Sequence, residues 1–225
     1  MKPVPVLPPF PTRAEIVRGF GEIAKEFAAT RTSPWPETAE FAARLPQRAR
    51  VLDLGCGNGR NLKFLHDRGH PVVGLDASGA LLALAAERGC PILIRGDVVN
   101  LPFEDSAFDA VHCVATLHHL PSEAERLDAL REAGRVLRPG GVLLASVWAL
   151  DQRRLTEAVE TLARHGQDTG QDWNLPWVRS DGRVFPRFYH LFRSGELDGI
   201  VRDVGMSVIE SQRSGDNYVV LAARR

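Results

Sequence analysis

Lysine is nearly missing from this chain. Lys2, Lys25 and Lys63 are the only lysines among 28 basic residues, and the rest are arginine. The 28 acidic residues bring the formal charge to zero, which removes any broad electrostatic case for nucleic-acid binding and leaves only local patches. Cysteine is scarce too. Cys56, Cys90 and Cys113 have no metal-ligand spacing and read as reduced core or loop thiols, so no metal and a cytoplasmic location are expected. No apolar run approaches the roughly 18 residues of a membrane span. Met1–Pro11 is proline-rich, too short and too interrupted for a signal peptide, and reads as a flexible arm. A hydrophobic content of 44% and a charged content of 25% are those of a globular domain, and 225 residues suffice for one full core.

What the chain does have is organised around RVLDLGCGNGRN, Arg50–Asn61. Arg50–Leu54 reads as a short buried strand. Gly55-Cys56-Gly57-Asn58-Gly59 cannot continue it and reads as a turn that lets backbone approach a ligand. Leu62, Phe64 and Leu65 then bring a near-helical spacing. Strand, glycine turn and helix form the first unit of a nucleotide-binding α/β fold. The spacing is Asp53-x-Gly55-x-Gly57-x-Gly59, not the GxGxxG of dinucleotide enzymes, so a nicotinamide oxidoreductase is a distant reading.

The alternation continues downstream. Strands are expected at His70–Asp76, Pro91–Arg95, Phe108–Ala115 and Gly141–Trp148, with helices at Gly79–Arg88, after an N-cap at Ser78, and at Ser122–Leu137. Upstream, Thr12–Ala29 reads as one helix and Glu37–Leu45 as a second. Downstream of Ala149 the alternation lapses. Arg153–His165 reads as a helix and Gly166–Arg187 as an inserted loop over the active face. Ser194–Val204 reads as a helix capped by Ser194, and Ser207–Gln212 with Asn217–Ala222 as a closing hairpin. No segment repeats.

Motifs in that order resemble class I S-adenosylmethionine-dependent methyltransferases. The resemblance implies an α/β, Rossmann-like, doubly wound seven-stranded sheet with the last strand antiparallel, N-terminal helices and an insertion after the fifth strand. It divides the chain into an arm (1–12) and one domain (13–225), made of N-terminal helices or lid (13–48), cofactor-binding core (49–148), substrate-side insertion (149–193) and closing helix with hairpin (194–225). The cofactor implied is S-adenosylmethionine, held by Asp53, Gly55, Gly57, Asn58, Asp76, Asp97, Val98 and Ala115. Asp76 follows Gly55 by 21 residues, at a strand end where a carboxylate can accept from ribose hydroxyls. Asp97 and Val98 follow the third strand, where they can meet the adenine.

The remaining blocks are more specific. GFGEIAKEFAATRTSPWP (Gly19–Pro36), ATLHHLPSEAERLDALREAGRVLRPGG (Ala115–Gly141), SVWALDQ (Ser146–Gln152), PRFYHLFRSGEL (Pro186–Leu197) and GDNYVV (Gly215–Val220) resemble the tRNA wobble-uridine carboxymethyl methyltransferases. Phe20 and Tyr218 stand where that family has tyrosine and tryptophan. The resemblance implies esterification of a carboxymethyluridine in tRNA. A carboxylate is already anionic at neutral pH, so its methylation needs positioning cations and no base. Arg31 and Arg187 are the candidate forks. His118 and His119 follow the fourth strand. Either can act as base, donor or helix cap, with His118 favoured to face the methyl position. Trp148 can stack on a base or belong to the core, and Tyr189 and His190 are expected to line the same pocket.

Three readings of function stay open. The acceptor is a tRNA carboxylate, or a small molecule methylated on oxygen or nitrogen, or the chain is a cofactor-binding module without catalysis. Under the superfamily's strand order Pro91–Arg95 lies at a sheet edge. Its apolar residues then invite a small activating protein partner or self-association.

Overall fold

The computed structural model describes residues 10–152, 155 and 170–225. The expected helix Arg153–His165 lies outside these residues apart from Leu155, as does most of the N-terminal arm.

Three short helices come first: α1 (Arg13–Glu22), α2 (Ala24–Ala29) and α3 (Pro36–Arg44). Thr12 opens α1 in a reciprocal cap, its hydroxyl accepting from Glu15 N–H while the Glu15 carboxylate accepts from Thr12 N–H. The single helix expected over Thr12–Ala29 is two, because the chain leaves helical geometry at Ile23 (φ −99°, ψ 7°). Gly19 explains part of the packing there. A Cβ at this position would stand 2.1 Å from the Phe185 ring, so only glycine lets the later hairpin seat on α1.

The core alternation follows as β1 (Val51–Leu54), α4 (Arg60–Asp67), β2 (Val72–Asp76), α5 (Gly79–Glu87), β3 (Leu93–Arg95), β4 (Phe108–Val114), a 3-10 turn at Leu117–His119, α6 (Glu123–Val136) and β5 (Leu137–Trp148). Ser78 caps α5 by accepting from Leu81 N–H, as its position suggested. β5 starts earlier than expected. Leu137 already pairs with Phe108, and Arg138–Gly141 forms an irregularity before the register resumes at Val142.

A second sheet replaces the expected inserted loop. β6 (Asp172–Val178) and β7 (Val184–His190) make an antiparallel ribbon in which Pro176 faces Pro186. An isolated ribbon tolerates prolines whose missing N–H would have pointed outward. The chain ends with α7 (Glu196–Asp203), β8 (Ser207–Ser214) and β9 (Asn217–Ala223). The α7 cap is Gly195 in left-handed geometry, not Ser194.

The main sheet has seven strands in the order β3-β2-β1-β4-β5-β9-β8, parallel except where β9 runs antiparallel to both neighbours. This is the doubly wound architecture that the motif order implied, with β3 at one edge. The parallel connections cover both faces with helices, so β1 is buried along its whole length.

Burial forces a partner on the one acid in β1. Asp53 Oδ1 lies 2.7 Å from His112 Nδ1 on β4, and His112 Nε2 lies 3.0 Å from Thr38 Oγ1 on α3. This polar line crosses the centre of the sheet and fixes α3 against it. Asp53→Ala would strand a buried imidazole. It is expected to cost about 1–3 kcal/mol, read as a lower urea midpoint at unchanged slope. An unchanged midpoint would show that the pair contributes nothing to stability.

Candidate functional site

The C-terminal ends of β1, β2, β3 and β4 open on one edge of the sheet, the place where doubly wound folds hold ligands. The turn after β1 is held down by Leu75 C=O, which accepts from Gly55 N–H (2.7 Å) and Cys56 N–H (3.0 Å). Asp76, ending β2, accepts from Gly57 N–H through Oδ2 and from Ser78 N–H through Oδ1, both at 2.8 Å. Burial pushes its carboxyl up despite those two bonds.

A cavity, about 750 Å³ including its open mouth, lies over this turn. Gly55, Gly57, Asp76, Asp97, Val98 and Ala115 all line it, so six of the eight expected cofactor positions converge there. The lining suits a nucleoside with a charged sulfur. It has an acid at the β2 end, an acid at the β3 end, and a glycine cradle between. Gly57 (φ +55°) has nothing within 4 Å of where a Cβ would stand, which is open space in front of the turn. Ala115 also has positive φ (58°), backbone strain at the cavity wall.

The other two expected positions face elsewhere. Asp53 points into the sheet toward His112, because strand alternation turns it away from the turn. Asn58 is buried, and its Nδ2 donates to Ala28 C=O (3.4 Å) and Arg31 C=O (2.9 Å). It ties the N-terminal helices to the glycine turn.

Those helices roof the cavity. Arg13, Phe20 and Phe27 line it from α1 and α2, and Arg13 Nη2 pairs with Asp97 Oδ2 at 2.6 Å. None of the three was foreseen as a site residue. Phe20 and Phe27 read as core periodicity, and nothing local marks Arg13 as the partner of an acid 84 positions away. Thr116 was also missed; its hydroxyl donates to Leu54 C=O at 2.9 Å.

Beside the cavity stands a wall of rings. Trp148 stacks on Tyr189 with centroids 4.5 Å apart, and His118 and His119 pack on the same tyrosine at 5.2 and 4.6 Å. The roles of the two histidines differ from expectation. His118, favoured to face the methyl position, is buried, and its Nδ1 accepts from Trp148 N–H at 3.1 Å. His119 is the one that lines the cavity, with its Nδ1 donating to Phe188 C=O at 3.0 Å. The 3-10 turn rotates adjacent residues to different sides, which sequence spacing does not reveal. Burial pushes the His118 imidazole well below its usual range, helped by nearby His119, His190 and Arg187. Burial likewise pushes His119 down to about 3, with Arg187 and Arg31 adding to it against the Phe188 carbonyl.

Two arginines meet at this wall. Arg187 Nη1 donates to Tyr189 OH at 2.8 Å, and its guanidinium lies 5.0 Å from the Trp177 ring. Arg31 lies 3.9 Å over Phe27 and 5.5 Å from the same Trp177. Trp177 was not foreseen as a site residue, since it lay in the expected loop. His190 does not join the wall. It sits between Asp172 (2.6 Å) and Glu196 (2.7 Å), because alternation along β7 puts Arg187 and Tyr189 on one face and His190 on the other.

Residues 52–145 match the family described as a methyltransferase domain. A fission yeast (Schizosaccharomyces pombe) protein named tRNA (carboxymethyluridine(34)-5-O)-methyltransferase is 32% identical, over 91% of this chain and 94% of its own. A Burkholderia thailandensis 1,6-didemethyltoxoflavin-N1-methyltransferase, solved with S-adenosylhomocysteine, has a similar fold (TM-score 0.69, 23% identity, 98% of this chain and 93% of that one). So does a protein in the complex between the Haloferax volcanii Trm112 methyltransferase activator and the putative methyltransferase (TM-score 0.66, 19% identity, 93% of this chain and 97% of that one).

Two measurements follow from the geometry. Asp76→Ala removes the acceptor at the β2 end and is expected to weaken S-adenosylhomocysteine binding by on the order of 30-fold to several hundred-fold, read by calorimetry. Wild-type affinity would take Asp76 out of the site. The histidines set the second. Folded His119 stays neutral down to about pH 3, whereas the unfolded chain takes up the proton near pH 6.5. Stability from this group is therefore full above pH 6.5 and is lost as pH falls from there toward 3. The urea midpoint is expected to fall less between pH 7 and 5 in His119→Asn than in the wild type. Equal falls would mean the imidazole is solvated and titrates normally.

Proposed function

The chain belongs to the tRNA carboxymethyluridine methyltransferase family, an S-adenosylmethionine-dependent methyltransferase, and from that premise we propose that it esterifies the carboxylate of a carboxymethyl-modified wobble uridine in tRNA. The observation that carries the reading is the pairing of cations with an absent base. Arg31 and Arg187 come together at Trp177 beside the cavity, and the histidine facing that cavity is held neutral.

When bound, S-adenosylmethionine supplies an electrophilic methyl on a sulfonium sulfur. Asp76 and Asp97 would hold its ribose and adenine ends, with Gly55, Gly57, Val98 and Ala115 against its body. The remaining work falls to the substrate side. An in-line displacement needs the nucleophile aligned and ionised. A carboxylate is ionised already. Two guanidinium forks hold it by charge-assisted hydrogen bonds that fix orientation. Packing against Phe27, Trp177 and Tyr189 half-buries both arginines and limits their freedom. His119, with its proton on Nδ1, offers only a lone pair on Nε2. A base with a conjugate acid pKa near 3 takes little part in deprotonating a phenol or ammonium group at neutral pH. That argues against an O- or N-methylated small molecule that must lose a proton.

A protein partner also fits. The nearby Ile92 is 51% exposed, and among the described residues the β3 edge has no strand partner on its outer side. The archaeal neighbour was solved with an activator, and we propose a small activating protein on this edge. Among the described residues no helix is long and apolar enough to cross a membrane, and all three cysteines are free thiols. A cytoplasmic location is in keeping with both.

Arg31→Ala and Arg187→Ala are each expected to leave cofactor binding nearly unchanged and to slow single-turnover methyl transfer at least about 100-fold, the loss of roughly 3 kcal/mol of bidentate contact. Lysine at either position should rescue little. The wild-type rate should be flat from pH 6 to 9. A rate that climbs through about pH 6.5, with indifferent arginine variants, would overturn the carboxylate acceptor.

A further inference from the structure

A second cavity, about 1180 Å³ including its open mouth, adjoins the ring wall at Trp148 and Arg187. Trp35, Glu37, Leu175 and Asn217 are among its other lining residues, and none of these four has a role in the site above. Trp35 and Glu37 sit at the start of α3, and Asn217 begins β9 opposite Trp148.

The polar groups around this cavity are unusual. Glu37 is 2% exposed and Asn217 is 3% exposed, yet among the described residues Glu37 Oε2 and Asn217 Oδ1 have no hydrogen-bond partner. Trp35 Nε1 and Arg187 Nε are buried and unpaired as well. Glu37 Oε1, by contrast, accepts from Ser146 Oγ at 2.9 Å and from Asn217 Nδ2 at 3.4 Å. One carboxylate oxygen is thus anchored and the other is left over. Buried polar atoms are nearly always satisfied, and four orphans on the residues of one cavity mark a place where a ligand completes the bonding. Two indoles on the same lining suit a flat ring.

We propose that this cavity binds the heterocycle of the acceptor, a pyrimidine-2,4-dione, through its carbonyl–imide–carbonyl edge. The inference rests on the carboxylate-acceptor reading. The imide N–H donates to Glu37 Oε2. The flanking carbonyls accept from Arg187 Nε–H and Trp35 Nε1–H. Arg187 serves both chambers, because a carboxymethyl group on C5 is next to the C4 carbonyl on the ring. One guanidinium meets the carboxylate and that carbonyl together. Cytosine is rejected by the same groups. Its ring nitrogen would turn a lone pair on the Glu37 carboxylate, and its amine would meet a donor.

The test is ligand-observed NMR titration with uridine, cytidine and guanosine, with S-adenosylhomocysteine present. The wild type is expected to bind uridine at least about 10-fold more tightly than the other two. Glu37→Gln keeps the oxygen that meets Ser146 and Asn217 and puts an N–H where Oε2 stood. It is expected to abolish or reverse the preference over cytidine, while the urea midpoint and cofactor-product affinity stay near wild type. Trp35→Phe keeps a ring, removes one donor and leaves Glu37 untouched. It is expected to weaken uridine several-fold, which keeps the test decisive if the Glu37 variant folds poorly. Equal binding of uridine and cytidine, a guanosine preference, no detectable binding, or selectivity indifferent to Glu37 would each overturn the proposal. The nucleosides are unmodified, so the result is separate from methyl transfer. Glu37-dependent uridine selectivity without ester formation would remove the acceptor reading and keep the pocket. Ester formation without selectivity would do the reverse.

Discussion

Asn58 holds the site together. Its amide donates to the main chain of Ala28 and Arg31, so the glycine turn and the segment that carries the first arginine move as one piece. Asn61, one turn further on, accepts from Trp35 N–H and Thr38 Oγ1 and fixes the next stretch. Arg31, the arginine proposed to orient the acceptor, is thereby indexed to the turn proposed to hold the donor. Methyl transfer tolerates little misalignment, and a brace between the two partners' supports is what the geometry requires.

The second arginine reaches the same place from the opposite end of the chain. β7 brings Arg187 and Tyr189 under the 3-10 turn, and the stack of Trp148, Tyr189, His118 and His119 fills the gap between hairpin and core. Burial makes the histidines poor bases and good packing. It leaves the guanidinium groups as the charged elements of the wall. This polarity suits a nucleophile that arrives charged.

The cofactor half of the molecule was legible because its signals are local. A strand, a glycine turn and an acid 21 residues on are set by backbone geometry, and Asp76 and Asp97 stand where their strands end. Strand order came with the resemblance to class I methyltransferases, and the sheet follows it. The substrate half was legible only where whole blocks resembled known enzymes. The β6–β7 ribbon was hidden by Pro176 and Pro186, which break a strand pattern yet suit a ribbon bonded on one side. His190 was misplaced because neighbouring residues on a strand face opposite ways. His118 and His119 were exchanged because a single 3-10 turn decides which of two adjacent rings meets the cavity. Arg13 on Asp97 joins positions far apart in the chain, and no periodicity reports such a contact.

The chemical nature of the transferred methyl tests the central claim most directly. A methyl ester, unlike a methyl ether or amine, releases its methyl as methanol in mild alkali. Total tRNA lacking the ester would be incubated with the protein and methyl-tritiated S-adenosylmethionine, then treated with mild base. Two guanidinium groups facing a carboxylate predict label in the tRNA fraction that becomes volatile on that treatment. Label that resists alkali, or that appears only among small metabolites, would contradict it.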